Sequence, residues 1–119
     1  MIKVLVLLSI FSCSSQEQVQ VKKVDKAYMQ EHVLQTEAQL VDVRSKAEYA
    51  KGHIGHALNF NVLEKTAFLE QIKVLDKGKP VYLYCKAGGR SNRAAKILKQ
   101  NGFTQIFDYA GGYDNWVSQ

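Results

Sequence analysis

The sequence predicts an α/β fold in which a central, mostly parallel sheet carries helices on both faces. Short apolar segments typical of buried strands alternate along the chain with segments of helical periodicity. The segment "PVYLYC" at 80–85 is apolar throughout, as expected of a central strand. Strands that alternate with helices run parallel, because each helix returns the chain to the same edge of the sheet. We therefore expect a ligand site at the carboxyl ends of the strands.

The composition indicates one globular domain and argues against nucleic-acid binding. The chain has 119 residues, one Pro and 46% hydrophobic residues. Its formal net charge is +5, but the lysines are scattered and no stripe of basic and aromatic residues repeats. A basic pocket for a small anion fits this distribution better than a nucleic-acid surface does. We expect a monomer.

The first residues, "MIKVLVLLSIFSCSS", have the pattern of an export signal. A short positive end precedes an apolar run that is too short to cross a membrane, and "IFSC" resembles a bacterial lipobox. We expect a lipoprotein-type signal peptide at 1–12, a lipidated Cys13 and flexible tether at 13–22, and the folded domain at 23–119. The protein would then be lipid-anchored outside the cytoplasm, on the periplasmic side of a bacterial membrane. The alternative is a cytosolic protein whose first strand is "IKVLVLLSI".

Capping residues and hydrophobic periodicity predict the individual elements. Asp25 can cap a helix that runs to about Thr36. Ser45 and Glu48 have the spacing of a capping box, which predicts a short helix over 46–51. The remaining elements, in order, are a strand at 39–43, a strand at 57–60, a helix with Leu63, Phe68, Leu69, Ile72 and Leu75 on its apolar face, a strand at 80–85, a helix from Ser91, a strand at 105–110 and a last short helix after Gly111-Gly112.

Cys85 lies at the end of the strand 80–85, immediately before a glycine-containing turn and a basic helix. The intervening residues are Lys86, Ala87, Gly88, Gly89 and Arg90. Glycines allow the backbone to curl around a small centre, and the loop amides with the helix N-terminus form an anion site. The charges of Lys86 and Arg90 should act in the same direction. This spacing predicts a stabilised thiolate, or a sulfur species that carries negative charge; the alternative is a buried structural cysteine.

Three segments together resemble the rhodanese-like family. These are "LVDVRSKAEYAKGHIGHALNF" at 40–60, "YCKAGGRS" at 84–91 and "GGYDNW" at 111–116, and the resemblance runs from about 24 to 117. It implies a single domain with a five-stranded sheet. It also implies a sulfurtransferase that carries sulfane sulfur as a persulfide on Cys85, held by the loop 85–90. No metal or organic cofactor is needed for this chemistry.

The length of the loop separates this chain from the related phosphatases. Cys85 and Arg90 form C-x4-R, whereas rhodanese-like phosphatases have a loop that is one residue longer. The resemblance therefore implies a small anionic sulfur donor such as thiosulfate, and cyanide or a thiol as acceptor. Two alternatives remain: a relay that passes sulfur to a protein partner, and a module that binds an anion or a partner without turnover.

Several further residues have more than one interpretation. By resemblance, Asp42 and Arg44 lie near the cysteine loop. They either shape the charge around Cys85 or have a structural role as a buried ion pair or a loop brace, and we favour the structural role. Ser91 opens the helix after the loop and is a supporting residue. His53 and His56 have a spacing of i, i+3. By resemblance, His53 belongs to the Gly-His-Ile element of the family, and neither position is a usual metal site there, so we expect no metal site.

Overall fold

Five parallel strands form one sheet at the centre of the molecule. The structure is a computed structural model that describes residues 18–119. The strands lie in the order β1-β5-β4-β2-β3. They are β1 (Val21–Val24), β2 (Gln39–Asp42), β3 (Leu58–Asn59), β4 (Val81–Tyr84) and β5 (Ile106–Tyr109). All four residues of β4 are buried, so the prediction that this segment is the central strand is confirmed.

Helices cover both faces of the sheet, as the sequence predicts. They are α1 (Lys26–His32), α2 (Lys46–Lys51), α3 (Lys65–Gln71), α4 (Gly89–Gln100) and α5 (Gly112–Val117), with a 3₁₀ turn at Ile72–Val74 after α3. One core includes Phe68 of α3 and Leu98 of α4, and the other includes Met29 of α1 with Trp116 of α5 packed against it. No helix within residues 18–119 has the length and apolar character needed to cross a bilayer.

The first strand begins inside the segment that we expected to be a tether. Strand β1 pairs with β5 from Val21 opposite Ile106 to Val24 opposite Tyr109, so Val21 and Lys22 belong to the sheet. This strand lies at the edge and contains two exposed lysines, which leaves little hydrophobic signal in its sequence. The expected signal peptide and Cys13 lie outside the described residues.

The helix predicted around Leu63 begins later than expected. Leu63 lies in the loop before α3, where 59% of its surface is exposed, and so the prediction that it faces the core is wrong. The preceding residue takes the buried position instead: the Val62 N–H donates to the Val43 carbonyl at 3.2 Å, and Val62 is 2% exposed. The Asn61 side chain accepts from the Leu63 N–H at 3.1 Å, and this turn directs Leu63 outward.

The capping box at the start of α2 is confirmed. The Glu48 N–H donates to Ser45 Oγ at 3.2 Å, and the Ser45 N–H donates to Glu48 Oε1 at 3.3 Å. The helix ends at Gly52, as predicted. Helix α2 follows β2, and its residue Glu48 accepts a hydrogen bond from Arg90 in the loop after β4.

Candidate active site

The loop that follows β4 wraps around the sulfur of Cys85. Gly88 immediately precedes α4 and has a φ of +103°. This is a left-handed backbone conformation, which glycine adopts readily. This turn directs the Gly88 N–H at Cys85 Sγ, with 3.0 Å between nitrogen and sulfur. The sequence placed Cys85 at the mouth of a turn, but the residue is only 1% exposed.

Hydrogen bonds favour the thiolate form of Cys85. Burial of the thiol raises its pKa, but hydrogen bonds from the Ser91 hydroxyl and from nearby backbone amides outweigh burial and lower the pKa below the usual value. The backbone amides that contribute are those of Ser91, Gly88 and Ala87. Ser91 Oγ lies 3.5 Å from Cys85 Sγ and donates to the Gly88 carbonyl at 3.2 Å. When the thiol ionises, the hydroxyl can rotate and donate to the sulfur.

The first turn of α4 leaves backbone amides available at the loop. The first intrahelical hydrogen bond is made by the Asn92 N–H to the Gly88 carbonyl at 3.1 Å. The amides at 89–91 therefore precede the hydrogen-bonded ladder of the helix, and they have no acceptor within it. Together with the helix dipole, these amides can stabilise negative charge on a sulfur attached to Cys85.

The two cationic side chains of the loop are each paired with a carboxylate. The Arg90 guanidinium donates to both oxygens of Glu48, at 2.6 and 3.0 Å. Lys86 Nζ lies 2.8 and 2.7 Å from the two oxygens of Asp114. We expected both charges to favour a negatively charged sulfur, and the structure adds that each of them is compensated by a carboxylate. The pKa of Arg90 is raised, chiefly by Glu48 and more weakly by the Cys85 sulfur.

Asp42 and Arg44 form a buried ion pair that also fixes neighbouring elements. The side chains are 0% and 3% exposed, and Arg44 Nη2 lies 2.6 Å from Asp42 Oδ2. Tyr84 donates its hydroxyl hydrogen to Asp42 Oδ2 at 2.7 Å, and Arg44 donates to the Gly52 carbonyl at 2.7 Å. The guanidinium lies over the ring of Tyr113, 4.2 Å from its centre. These contacts join β2, β4, α2 and α5, and they favour a structural brace.

The start of α5 packs directly against the cysteine loop. The Tyr113 N–H donates to the Cys85 carbonyl at 2.8 Å, and the Asp114 N–H donates to the Lys86 carbonyl at 3.1 Å. Gly112 has a φ of +67°, and a Cβ there would come within 2.6 Å of the Cys85 carbonyl oxygen. Only glycine allows this close approach. Sequence reasoning missed this role, although the double glycine at 111–112 was a visible signal.

The two histidines lie in separate environments. The His53 ring stacks on Tyr49 with 3.9 Å between ring centres, whereas His56 Nε2 lies 2.8 Å from the Ala38 carbonyl oxygen. Within residues 18–119, no cluster of three His, Cys, Asp or Glu side chains could hold a metal ion.

Comparison with known proteins identifies the family. The model of the rhodanese-like domain matches residues 25–119. This chain belongs to the rhodanese-like domain family. The uncharacterized protein YqhL of Bacillus subtilis is 42% identical over 79 residues, which cover 66% of this chain and 60% of YqhL. Thiosulfate sulfurtransferase GlpE of Coxiella burnetii is 32% identical over 77 residues, which cover 65% of this chain and 69% of GlpE.

Solved structures of the family have the same fold as this rhodanese-like domain. The human single-domain sulfurtransferase TSTD1 matches with a TM-score of 0.70 and 27% sequence identity. The match covers 82% of this chain and 96% of the human protein. The five-stranded, all-parallel sheet described above is thus the sheet of a single rhodanese-like domain.

Proposed function

We propose that this rhodanese-like domain is a sulfurtransferase that carries sulfane sulfur as a persulfide on Cys85. The observation that carries the proposal is the hydrogen bond from the Gly88 N–H to Cys85 Sγ, in a loop that lowers the pKa of the thiol. A thiolate is the nucleophilic form of cysteine, so a lowered pKa increases the reactive fraction at neutral pH. The relatives GlpE and TSTD1, which bear the names of sulfurtransferases, support the same assignment.

In the first step, the Cys85 thiolate attacks the outer sulfur of thiosulfate. A new S–S bond forms at Sγ, the S–S bond of thiosulfate breaks, and sulfite leaves with the bonding electron pair. The product is a persulfide anion on Cys85. Amides of the loop and of the first turn of α4 stabilise this charge, as preorganised donors do in an oxyanion hole.

In the second step, cyanide or a thiolate attacks the terminal sulfur of the persulfide. The S–S bond breaks, the Cys85 thiolate leaves, and the acceptor departs as thiocyanate or as a new persulfide. No proton or electron has to be supplied from outside, since charge balances in each step. The enzyme alternates between a free and a sulfur-loaded form, which is covalent catalysis with ping-pong kinetics.

Steady-state kinetics test this function. The full chain should form thiocyanate from thiosulfate and cyanide, with parallel lines in double-reciprocal plots. The Cys85→Ser variant should show no turnover. Thiocyanate formation by that variant at the rate of the unsubstituted protein would refute the role of Cys85.

A sulfur relay to a protein partner is the second candidate function. The specific observation in its favour is that both loop cations are compensated by Glu48 and Asp114, which reduces the attraction for a small dianion. In a relay, sulfur would arrive from, or leave to, the cysteine of another protein. Turnover of thiosulfate would then be slow compared with turnover of a protein persulfide.

We also propose that Cys13 carries a lipid that holds the domain on the periplasmic side of a bacterial membrane. The support is the sequence pattern of 1–13, which lies outside the described residues. The full chain, expressed in a bacterium with lipoprotein processing, should fractionate with membranes. Cys13→Ser should move it to the soluble fraction, and continued attachment of that variant would overturn the proposal.

A further inference from the structure

A groove of about 240 Å³ lies between helix α4 and residues 62–65, at the start of α3. Its lining includes three cationic side chains, Lys65, Arg93 and Lys96, and two apolar ones, Leu63 and Ile97. We call these five residues the basic groove. The three cationic residues are exposed, and Ile97 is half-buried.

The positive charges of the basic groove have no ion-pair partner in the part of the chain that the structure describes. Among residues 18–119, neither Lys65, Arg93 nor Lys96 takes part in an ion pair. The cations of the cysteine loop behave differently, since Lys86 and Arg90 each have a carboxylate partner. Three unpaired cations around one groove create a local positive potential that favours an anionic partner.

The apolar residues of the basic groove, together with its cationic residues, give it the composition of a protein–protein interface. Leu63 is 59% exposed because the turn at Asn61 and the anchored Val62 direct it outward. It lines the same groove as Ile97 and the three cationic residues. An apolar centre with a charged rim is the usual organisation of a protein–protein contact. Among the described residues that line the groove, none has an aromatic side chain on which a base could stack, which disfavours a nucleic acid.

The groove lies on the same side of the molecule as Cys85. Strands β3 and β4 both pair in parallel with β2, so their carboxyl ends meet at one edge of the sheet. The loop with Leu63 follows β3, and the cysteine loop follows β4. Arg93 comes about one helical turn after Gly89, the first residue of α4. A protein seated in the groove would therefore have its neighbouring surface near the cysteine loop.

We propose that the basic groove is the docking site of a partner protein that presents acidic residues around an exposed apolar side chain. Charge complementarity with Lys65, Arg93 and Lys96 brings the partner to this face, and Leu63 contacts its apolar residue. That the partner exchanges sulfur with Cys85 rests on the proposed function; the docking itself does not.

A binding experiment with a defined probe tests the docking site. The probe is a short synthetic peptide with glutamates on either side of a leucine, and its counterpart has glutamines in place of the glutamates. Titration of the ¹⁵N-labelled protein should shift the amides at 62–65 and 93–97 with the acidic peptide. The glutamine peptide should bind much more weakly, and added salt should weaken binding of the acidic one.

Charge-reversal variants locate the site. The combined change Lys65→Glu, Arg93→Glu and Lys96→Glu should weaken binding of the acidic peptide at least about tenfold, since three favourable pairs become repulsive. The matched control, Lys22→Glu, Lys77→Glu and Lys79→Glu, changes the net charge equally on exposed positions outside the groove. It should change the affinity less than about twofold if binding is local. Leu63→Ser, which leaves every charge in place, should weaken binding through loss of the apolar contact.

Several outcomes would overturn the docking site. Equal effects of the two triple variants would mean that only net charge matters, and amide shifts confined to β1 would place the contact elsewhere. Stronger shifts of the groove amides with anionic phosphatidylglycerol vesicles or with single-stranded DNA would assign the groove to a membrane or to a nucleic acid.

If the triple variant fails to fold, the glutamine substitutions at the same positions replace it. Sulfur loading of the unsubstituted protein is measured separately, so peptide binding without sulfur loading would refute the proposed function and leave the docking site standing.

Discussion

The guanidinium of Arg90 forms two hydrogen bonds with the carboxylate of Glu48, at 2.6 and 3.0 Å, and thereby joins the cysteine loop to helix α2. The hydrogen bonds from Arg90 are the largest cause of a lowered pKa of Glu48, which falls to about 2. Glu48 is therefore ionised throughout the neutral pH range, and its negative charge compensates the positive charge of Arg90 over that range. Under the proposed function, we expect this pair to set how strongly the loop attracts an anionic donor.

Replacing Glu48 with Gln should improve the use of thiosulfate. The change removes a negative charge beside the loop and leaves Arg90 as a net positive charge, while glutamine can still accept the Ser45 N–H of the capping box. We expect kcat/KM for thiosulfate to rise several-fold, which corresponds to an activation free energy that is lower by about 1 kcal/mol. The rate with an uncharged alkyl persulfide donor should stay nearly constant. Formation of thiocyanate measures both.

Removal of the positive partner of the same ion pair provides the control for this experiment. Arg90→Ala leaves Glu48 uncompensated, so it should lower thiosulfate use by about tenfold and affect the uncharged donor less. In the double variant Glu48→Gln and Arg90→Ala, the discrimination between donors should return toward that of the unsubstituted protein. Equal losses with both donors in Arg90→Ala would show that charge does not select the donor.

Ser91→Ala should shift the titration of Cys85 to higher pH. The Ser91 hydroxyl is one of the groups that lower the pKa of the thiol against the effect of burial, so its loss raises that pKa. The thiolate is present above the pKa, and reactivity therefore begins at higher pH in the variant. The rate of alkylation by iodoacetamide as a function of pH gives the midpoint. Ser118→Ala, at an exposed position beyond α5, is the control, and an unchanged midpoint in Ser91→Ala would rule out the hydroxyl as a stabiliser of the thiolate.

Asp42→Asn should lower the free energy of unfolding, while the protein that remains folded should still take up sulfur on Cys85. The change leaves the buried guanidinium of Arg44 without its counter-charge, and breaking a buried pair in this way costs about 3 kcal/mol or more. Urea unfolding measures the loss. Glu70→Gln, which breaks the exposed pair with Lys73, should cost less than about 1 kcal/mol. Normal stability of Asp42→Asn, combined with lost sulfur loading of the folded protein, would instead assign Asp42 a role in the reaction.

Two glycines of the site should respond in opposite directions to substitution by alanine. At Gly112 the new methyl group would meet the carbonyl oxygens of Cys85 and Lys86 at 2.6 and 2.5 Å, in a backbone with positive φ. We expect Gly112→Ala to lower both the unfolding midpoint and the rate of sulfur loading. At Gly89, in the first turn of α4, no atom of residues 18–119 lies within 4 Å of the new methyl, and Gly89→Ala should keep or raise stability. A destabilised Gly89→Ala beside an unaffected Gly112→Ala would contradict this description of the loop.

The sequence predicts local and buried features of this fold well. The apolar segment around Leu83 gives the central strand, and the spacing of Ser45 and Glu48 gives the start of α2, because neighbouring residues decide both. The edge strand at Val21–Val24 was missed because two of its four residues are exposed lysines. Leu63 was placed in the core because periodicity does not reveal that Val62 occupies the buried position.

For the site, the sequence identifies the groups but not their pairing. Cys85, Gly88 and Ser91 lie within seven consecutive residues, in the loop and the first turn of α4, so their convergence follows from spacing alone. The partners of the loop cations come from distant segments, since Glu48 lies 42 residues before Arg90 and Asp114 lies 28 residues after Lys86. No local pattern encodes such contacts. They appear only when the parallel sheet brings the ends of its strands together.

The most direct test of the account is the intact mass of the protein after incubation with thiosulfate, beside that of its Cys85→Ser variant. The account predicts a gain of one sulfur atom in the unsubstituted protein, its absence in the variant, and its removal by cyanide. An unchanged mass, with a Cys85 thiol that iodoacetamide still alkylates, would contradict the claim that the loop takes sulfur from thiosulfate.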